Sequence, residues 1–462
     1  MNCPRLVIAG TNSGVGKTSI SIALTRALVR RGMRVQTFKV GPDFLDPTYL
    51  EQASGRPCYN LDGWMCGEDY VQQLFTAKTA NADIAIIEGV MGLYDGASPD
   101  HSEGSTAEIA RWLQAPVVLL VNAHGMARSL AATVKGFVDF EPELLISCII
   151  ANQTGSERHA DWVAQSLQSA ALPELVGAVP RNTLPELPGR HLGLVTANRE
   201  TFTASDADAF AIALEQYVAV EKLVTYAGQV PEIDVGEGTQ QQKRNEGIEK
   251  VRIGIARDKA FHFYYSDFLE ALEAQGAELH FFSPIEDPAL PADLNGVILG
   301  GGYPELYAKA LSSNQSMITS IRSFAAKGKP LYAECGGLLY LGRSMETLAG
   351  EKVPMLDIFP AATRMLPRKK MLGYVAVTLQ RNSLWGKKGD SLRGHEFHYS
   401  EIVEVDEERN GWEKSYHLQR RNTAAPEVEG YQRGNVLASY VHLHPTSSPD
   451  AIQHFLDRCR QG

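Results

Sequence analysis

The sequence predicts an α/β protein with two domains. Its 462 residues exceed the size of one ordinary hydrophobic core. In the first half, short apolar runs alternate with helical stretches, which is typical of a parallel sheet covered on both faces. The later runs of the second half have few helical stretches between them, which favours more antiparallel pairing. A polar, glycine-containing stretch separates the halves, so we expect domains at 1–225 and 251–462 joined by a linker at 226–250.

The predicted strands follow the apolar runs in chain order. In the first domain they are Arg5–Ala9, Arg34–Val40, Ile84–Ile87, Pro116–Val121, Leu145–Ala151 and Leu175–Val179. In the second they are Arg252–Ala256, Glu278–Phe282, Gly296–Leu299, Pro330–Glu334, Gly373–Leu379, Glu396–Glu401 and Val436–Val441. Ligands of parallel sheets bind beyond the carboxyl ends of the strands, so the polar residues after each run are the functional candidates.

Composition and charge exclude several classes of partner. The net charge of −10 argues against nucleic acid as the main ligand. No apolar run approaches the roughly 18 residues that span a bilayer, and the first residues lack a signal-peptide pattern, so we expect no membrane partner. Six cysteines without a CxxC pair indicate a reducing, cytoplasmic location.

A glycine-rich loop follows the first predicted strand and leads into a helix, with the sequence GTNSGVGKTS from Gly10. Backbone N–H groups in such a loop surround phosphate oxygens, which predicts an ATP site. Its lysine would reach the outer phosphates and its threonine hydroxyl would coordinate Mg²⁺. The loop is irregular because Thr11 stands where the first glycine is expected. The predicted nucleotide-binding residues are Gly14, Gly16, Lys17, Thr18 and Ser19.

Two acidic segments, KVGPDFLDP and EGVMGLYDG, follow the second and third predicted strands. Mg²⁺ beside a nucleotide takes one or two carboxylates, and Asp43 and Glu88 are well placed to join Thr18 as ligands. Asp46 and Asp95 would then orient the substrate or the transferring phosphate. For the three aspartates, a turn-forming role beside Pro and Gly is the alternative. We expect the acceptor substrate to contact the region of Phe44, Leu45 and Tyr49.

The second half places Cys335 between a strand and a helix, in the sequence KPLYAECGGLLY. This is typical of a nucleophile elbow, where the helix N-terminus lowers the thiol pKa and raises the reactive thiolate fraction. Upstream, the sequence GGGYPE supplies a glycine loop after another strand. Its backbone N–H groups at Gly301 and Gly302, with that of Gly336, would form an oxyanion hole.

Two candidate bases, His442 and His444, close the last apolar run in the sequence SYVHLH. A metal-binding pair is an alternative, although no third or fourth ligand is evident nearby in the sequence. Together with the cysteine and the glycine loop, the histidines predict a glutaminase. The thiolate would attack the side-chain amide of glutamine, form a thioester and release ammonia.

These two sets of motifs resemble the cobyrinate a,c-diamide synthase family, which amidates corrins and related tetrapyrroles. The first half alone also looks like dethiobiotin synthetase, and the second half resembles class I glutamine amidotransferases. The resemblance implies a P-loop domain of the first kind followed by an amidotransferase domain of the second. Its marks cover essentially the whole chain: GTNSGVGKT, KVGPDFLDP, EGVMGLYDG, ANQTGSERH, GGGYPE, AECGG, GHEFHYSE and SYVHLH.

The resemblance also implies roles for individual residues. Cys335 is the expected nucleophile, and His442 the residue that raises its nucleophilicity. Many class I amidotransferases have His-x-Glu, whereas this chain has His442-Leu-His444. The third member of the triad is therefore either His444 or absent, in which case the site works as a dyad. Asn152 of ANQTGSERH is expected to read adenine, with a turn-forming role as the alternative. His395 and His398 of GHEFHYSE match a family motif, but the resemblance assigns no role to them.

The implied activity is ATP- and glutamine-dependent amidation of the a and c acetate carboxylates of a cyclic tetrapyrrole, through an acyl phosphate. Cobyrinate is the default acceptor, with hydrogenobyrinate, nickel sirohydrochlorin and sirohaem as alternatives. The number and order of amidations stay open, as does the oligomeric state, for which a homodimer is one option. The alternative of another class is a P-loop partner-switching ATPase, which would not need Cys335.

Overall fold

A computed structural model describes residues 3–187, 201–233, 250–405, 411–420 and 427–461. The chain divides into two compact units, Met1–Thr239 and Gln240–Gly462. Residues 234–249 of the predicted linker lie outside the described residues. None of the described helices is long and apolar enough to cross a membrane.

The first unit is built on a parallel sheet, which has seven strands among the described residues. Their spatial order is β3-β2-β4-β1-β5-β6-β7. The strands are β1 (Arg5–Gly10), β2 (Val35–Val40), β3 (Tyr59–Leu61), β4 (Ile84–Glu88), β5 (Val117–Asn122), β6 (Ile146–Thr154) and β7 (Leu175–Pro180). The prediction of a parallel sheet is confirmed, and β3 is an additional strand.

The helices of this unit cover both faces of the sheet. Alternate residues of β1 show this, because Leu6 and Ile8 enter one hydrophobic core while Val7 and Ala9 enter another. The helices are α1 (Lys17–Arg30), α2 (Asp46–Ser54), α3 (Gly63–Cys66), α4 (Glu68–Thr79), α5 (Thr106–Trp112), α6 (Arg128–Phe140), α7 (Glu157–Ser169), α8 (Ala204–Glu215) and α9 (Val220–Gly228).

The part of the predicted linker that the structure describes, residues 226–233, belongs to the first unit. Helix α9 continues to Gly228, three residues past the predicted boundary at 225. Beyond it, the fully buried Arg5 donates from Nη2 to the carbonyl of Pro231 at 2.7 Å. The polar composition of this stretch therefore does not mark the end of the folded unit, since a buried guanidinium binds its backbone.

The main sheet of the second unit has ten strands among the described residues, in the order β10-β8-β11-β13-β22-β21-β20-β17-β18-β23. The first five are parallel and the remaining pairs are antiparallel. Two smaller sheets have the orders β12-β9 and β15-β14-β16-β19. The more antiparallel later portion is therefore confirmed.

The elements of the second unit include several short strands that the apolar pattern did not predict. The strands are β8 (Val251–Ala256), β9 (Phe261–Phe263), β10 (Ala277–Phe282), β11 (Gly296–Leu299), β12 (Gly301–Gly302), β13 (Leu331–Glu334), β14 (Ser344–Glu346), β15 (Lys352–Pro354), β16 (Ala361–Met365), β17 (Met371–Leu379), β18 (Ser391–His398), β19 (Ser400–Val405), β20 (Glu413–Arg420), β21 (Glu427–Arg433), β22 (Val436–Ser439) and β23 (His442–His444). The helices are α10 (Ser266–Ala274), α11 (Ala308–Ser313), α12 (Gln315–Ala326), α13 (Gly336–Leu341) and α14 (Ala451–Gln461).

Two predicted strands were wrong because each is interrupted. Glu396–Glu401 contains the end of β18 and the start of β19, which pairs with β16 in a different sheet. Val436–Val441 ends early, because β22 stops at Ser439 and the Ser439 hydroxyl accepts from Val441 N at 2.9 Å. Such a local side-chain bond replaces a ladder bond and redirects the chain.

The antiparallel half of the main sheet curls back on itself. Strands β22 and β23 are separated by only two residues, yet β22 lies in mid-sheet beside β13 and β23 forms the far edge beside β18. The edge strand therefore returns to the carboxyl end of β13. This return brings His442, the first residue of β23, to the strand that precedes Cys335.

Trp385, between β17 and β18, is the main packing residue beneath this part of the unit. The side chain is 1% exposed and stacks on Phe455 of α14 with ring centroids 4.7 Å apart. Its ring also meets Tyr332 of β13 and Phe268 of α10 edge-on, at 5.0 and 5.9 Å. One side chain therefore joins two helices to the strand that carries the elbow.

Replacement of Trp385 by Ala should destabilise the second unit by about 3–5 kcal/mol, because it leaves a large cavity among aromatic rings. Urea unfolding of the full chain, followed by circular dichroism, measures the change. Trp162, which is 51% exposed, provides the matched control. Its replacement by Ala should change stability by about 0.5 kcal/mol or less. Equal effects of the two substitutions would contradict this account of the packing.

Candidate active sites

The glycine-rich loop of the first unit lies between β1 and α1. Gly14 and Gly16 have φ values of 79° and 103°, a left-handed conformation that residues with a Cβ rarely adopt. Helix α1 begins at Lys17, whose Nζ donates to the carbonyls of Asn12, at 3.3 Å, and Met91. The backbone thus has the curved form and the helix N-terminus that favour phosphate binding.

A cavity of about 520 Å³ opens beside this loop. All five predicted nucleotide-binding residues of the loop line it, as do Leu45 and Tyr49 from the predicted acceptor region. Phe44, Asp95 and Asn152 are not among its lining residues. Its charged lining residues are Lys17, Lys39, Asp43, Asp46 and Glu88.

Lys39 is the central charge of this cluster, and the sequence patterns did not identify it. Its side chain is 3% exposed, and Nζ donates to Asp46 Oδ2 at 2.7 Å and to Glu88 Oε1 at 2.9 Å. Burial alone would lower its pKa, but the carboxylates of Asp46, Glu88 and Asp43 outweigh burial and raise it. The signal was available, because Lys39 opens the segment KVGPDFLDP.

The predicted metal ligands Thr18 and Glu88 lie together. Thr18 Oγ1 donates to Glu88 Oε1 at 2.8 Å. The other carboxylate oxygen, Glu88 Oε2, is buried and has no hydrogen-bond partner within the described part of the chain. Burial raises the pKa of Glu88 to about 7, an effect that Lys39 opposes. An ionised oxygen without a donor at this depth is costly, so a bound cation would satisfy it.

Two of the three aspartates in the acidic segments make hydrogen bonds within turns, and the third forms an ion pair with Lys39. Asp43 Oδ1 accepts from the backbone of Leu45 and Asp46 at 2.7 and 3.0 Å, which fixes the start of α2. Asp95 Oδ2 accepts from Gly92 N at 2.8 Å within its own loop. The turn-forming alternative thus describes contacts of both, whereas Asp46 pairs with Lys39.

Asn152 lies behind the phosphate loop. Its Nδ2 donates to Val15 O at 2.8 Å, and its Oδ1 accepts from Gln153 N at 2.9 Å. Both ends of the amide thus bind backbone, and one of these contacts supports the loop. Its expected role in reading adenine stays a prediction.

Cys335 has the backbone geometry of a nucleophile elbow. Its φ of 48° and ψ of −98° are strained for a residue with a Cβ, and α13 begins at the next residue. The backbone N–H donates to Ser439 O at 2.8 Å, which holds the turn against β22. The thiol therefore sits at the N-terminal end of a helix.

His442 is hydrogen-bonded to Cys335 and to Glu334. The ring is 1% exposed, and its Nδ1 lies 2.9 Å from Glu334 Oε1. Burial lowers the pKa of His442, but the charges and hydrogen bonds of Cys335 and Glu334 more than reverse this and raise it to about 10. The imidazolium therefore persists through neutral pH.

Glu334 is the residue that sequence reasoning missed at this site. Its Oε2 accepts from Tyr332 OH at 2.8 Å and from Leu443 N at 3.3 Å, while Oε1 faces His442. In many class I amidotransferases the carboxylate lies two residues after the histidine, where this chain has His444. Here the carboxylate comes instead from the residue before the cysteine, so AECGG contains two members of the site.

The partners of His444 differ from those of His442. Its Nδ1 is hydrogen-bonded to Thr446 Oγ1 at 2.6 Å, and its Nε2 lies 3.5 Å from Asp267 Oδ2. Glu334 therefore replaces His444 as the candidate third member.

The two histidines of GHEFHYSE also lie near the site. His395 stacks against His442 with centroids 4.9 Å apart, and burial lowers its pKa, as does the neighbouring His442. His398 stacks on Tyr440 at 4.0 Å and binds Ser400 O through Nδ1 at 2.8 Å. Both are buried against aromatic rings, and His395 Nδ1 also lies 3.1 Å from the Tyr265 hydroxyl.

The glycine loop approaches the elbow closely. Gly302 N lies 3.0 Å from the position that a Cβ on Gly336 would take. A Cβ on Gly301 would come within 2.5 Å of His442 Cε1, so only glycine leaves room for the imidazole. Because the peptide before Gly301 is trans and its carbonyl accepts from Gly337 N, the Gly301 N–H points away from Gly337. Gly302 and Gly336 are therefore the better-placed pair for an oxyanion.

Comparisons with known proteins cover both units. Residues 252–449 match the CobB/CobQ-like glutamine amidotransferase domain family, and residues 6–195 match the CobQ/CobB/MinD/ParA nucleotide binding domain family. The cobyrinate a,c-diamide synthase of Syntrophotalea carbinolica is 54% identical, over 100% of this chain and 99% of that protein. Those of Leptospira interrogans and Dehalococcoides mccartyi are 42% and 40% identical, each over 99% of this chain and 98% of the relative.

The chain belongs to the cobyrinate a,c-diamide synthase family. The family resemblance inferred from the motifs is thereby confirmed, as is the fold of a nucleotide-binding domain followed by a glutamine amidotransferase domain. As a member of this family the protein is a glutamine-dependent ligase that forms amides. The two matched domains support ATP and glutamine as its substrates.

Glu334→Gln should slow glutamine hydrolysis about 10–100-fold with little change in KM, because a general acid–base group loses its orienting partner. The pKa of His442 should fall from about 10, since one of its two negative neighbours is removed. The alkaline limb of the kcat profile should accordingly move to lower pH. Steady-state assays of glutamate release across pH measure both effects.

His444→Gln is the matched comparison, because His444 lies on β23 with His442 but is hydrogen-bonded to Thr446. It should cost less activity than Glu334→Gln and leave the alkaline limb in place. The reverse ranking would assign the third position to His444.

Proposed function

We propose that this chain amidates the a and c acetate carboxylates of a cyclic tetrapyrrole, with cobyrinate as the acceptor. The name shared by its full-length relatives supports the acceptor. The observation that carries the chemistry is the presence on one chain of a phosphate loop with a buried lysine–carboxylate cluster and of the Cys335–His442–Glu334 arrangement.

In the glutaminase half, the Cys335 thiolate attacks the side-chain carbonyl carbon of glutamine. The resulting oxyanion accepts hydrogen bonds from backbone N–H groups of the glycine loop and of Gly336. The protonated His442 donates a proton to the leaving nitrogen, and ammonia departs from the thioester. Water, deprotonated by the now neutral His442, hydrolyses the thioester to glutamate and restores the thiolate–imidazolium pair. Glu334 holds the ring through Nδ1 in both steps.

In the ligase half, an acetate carboxylate of the acceptor attacks the γ-phosphorus of ATP. ADP leaves and an acyl phosphate forms, which ammonia converts to the amide with loss of phosphate. Oxide is too poor a leaving group for direct attack by ammonia, which is why phosphorylation precedes it. Lys17 and Lys39 offset the negative charge of the transferring phosphoryl group, and Asp46 holds Lys39 in position. Asp95 orients the loop that faces Lys17.

The residues present fit a magnesium ion. Thr18 Oγ1 and Glu88 Oε2, which has no hydrogen-bond partner within the described residues, are oxygen ligands at the cavity, and Asp43 is the second carboxylate. No group of three His, Cys, Asp or Glu side chains in a metal-binding arrangement occurs within the described ranges, so phosphate oxygens and water would complete the shell. Bound there, Mg²⁺ would neutralise phosphate charge during transfer.

Assembly and location stay predictions. We propose a cytoplasmic enzyme and test a homodimer by size-exclusion chromatography with light scattering.

The acceptor is tested by incubating the enzyme with ATP, Mg²⁺, glutamine and each of four tetrapyrroles. These are cobyrinate, hydrogenobyrinate, nickel sirohydrochlorin and sirohaem. The mass change gives the number of amides formed, and its time course gives their order. A product from another acceptor but not from cobyrinate would overturn the assigned substrate.

Cys335→Ala should abolish glutamine hydrolysis, because no other nucleophile can form the thioester. The variant should still amidate the acceptor when an ammonium salt replaces glutamine, since the phosphate site is unaltered. Measuring glutamate release and acceptor mass in parallel separates the two halves. Undiminished glutamate release would reject the glutaminase assignment, and a wild-type chain without it would favour the partner-switching ATPase alternative.

Glu88→Gln should reduce phosphoryl transfer from ATP to the acceptor carboxylate by about 100-fold or more and raise the Mg²⁺ concentration needed for half-maximal rate, because a charged oxygen ligand becomes neutral. Release of ADP against magnesium concentration measures it. Glu108→Gln is the control, since Glu108 is also a buried glutamate and accepts from Gly104 N at 2.8 Å. An unchanged magnesium requirement in Glu88→Gln would remove Glu88 from the ligand set.

A further inference from the structure

Tyr264 connects the end of β8 to the glycine loop beside Cys335. Its hydroxyl donates to Ala256 O at 2.6 Å and accepts from Gly300 N at 2.9 Å. Gly300 is the first glycine of GGGYPE and lies between β11 and β12. The tyrosine therefore holds the start of the loop through two short hydrogen bonds.

The direction of these bonds follows from the chemistry of their partners. A carbonyl can only accept and a backbone N–H can only donate, so the hydroxyl proton must point to Ala256. Burial raises the pKa of Tyr264, so the phenol keeps this proton across the working range. The hydroxyl thus acts as a fixed acceptor for the Gly300 N–H.

The Gly300 residue is held on both sides. Its N–H binds Tyr264, and its carbonyl accepts from Gly337 N of α13 at 3.0 Å. The tyrosine ring also lies directly against it, because a Cβ on Gly300 would come within 2.5 Å of Tyr264 Cζ. The two peptide groups that precede the Gly301–Gly302 peptide are therefore both fixed in orientation.

We propose that Tyr264 is a positioning residue for the oxyanion-binding backbone of the glutaminase. It fixes the first peptide of the loop, so that the Gly302 N–H keeps its place beside Gly336 at the elbow. This inference rests on the proposed glutaminase function. Without the hydroxyl, the Gly300 N–H loses its acceptor and the peptide can rotate, which displaces the downstream amide from the developing charge.

Tyr264→Phe in the full chain tests the inference, since it removes only the hydroxyl. Loss of one direct oxyanion donor costs about 100–1,000-fold in kcat, so its displacement should cost about 10–100-fold. The KM for glutamine should change little, because the transition state is affected more than binding. Amidation with an ammonium salt should stay at the wild-type rate.

A second measurement separates positioning from local unfolding. Alkylation of Cys335 by iodoacetamide needs the thiolate but forms no oxyanion, so its rate should be the same in Tyr264→Phe and wild type. Tyr340→Phe is the matched control, because Tyr340 lies on α13 and its buried hydroxyl has no hydrogen-bond partner within the described residues. This control should retain wild-type kcat.

The possible outcomes separate the positioning role of Tyr264 from the proposed glutaminase function. If Tyr264→Phe keeps kcat within about twofold of wild type, Tyr264 does not position the loop. If alkylation slows in parallel with kcat, the residue acts on the thiol or on folding, and the inference also fails. If the wild-type enzyme shows no glutaminase activity that depends on Cys335, the proposed function itself is rejected.

Discussion

The buried contact between His442 and Glu334 is the constraint on which the second unit depends. Glu334 ends a central parallel strand, and His442 begins the far edge strand of the same sheet. Their 2.9 Å separation requires the antiparallel strands to curl back toward the elbow. A charged imidazole is stable at this depth only with negative partners, and Glu334 and Cys335 are those partners. The return of the edge strand and the raised pKa of His442 thus depend on the same contact.

The first unit places charges of both signs around a similar geometric feature. A loop at a helix N-terminus follows a parallel strand in both units, with Lys17 at the start of α1 and Cys335 just before α13. In the phosphate site, two lysines and three carboxylates share one cavity, and Lys39 keeps its charge because carboxylates surround it. Within the described residues, one carboxylate oxygen of Glu88 has no hydrogen-bond partner, and this supports the proposed cation beside the cluster.

The predicted elements succeeded where the apolar pattern was strong and failed where the chain changed sheets. The strand runs of the first half matched parallel strands, since burial on both faces makes each run continuously apolar. Short strands such as β12 carry no such pattern. The break at Tyr399 and the break after Ser439 depend on pairing with distant strands and on a side-chain bond. Neither leaves a mark in local hydrophobicity.

The sequence by itself determined the fold class, and it predicted the phosphate loop, the nucleophile Cys335 and the base His442, because each depends on residue types at fixed local spacing. It also determined the family, through motifs spread along the chain. Only the tertiary structure decided that Glu334 rather than His444 meets His442, that Lys39 joins the acidic cluster, and that Tyr264 holds Gly300. These contacts join residues 108, 49 and 36 positions apart, in that order. The curl and twist of a sheet set such distances, and no local spacing encodes them.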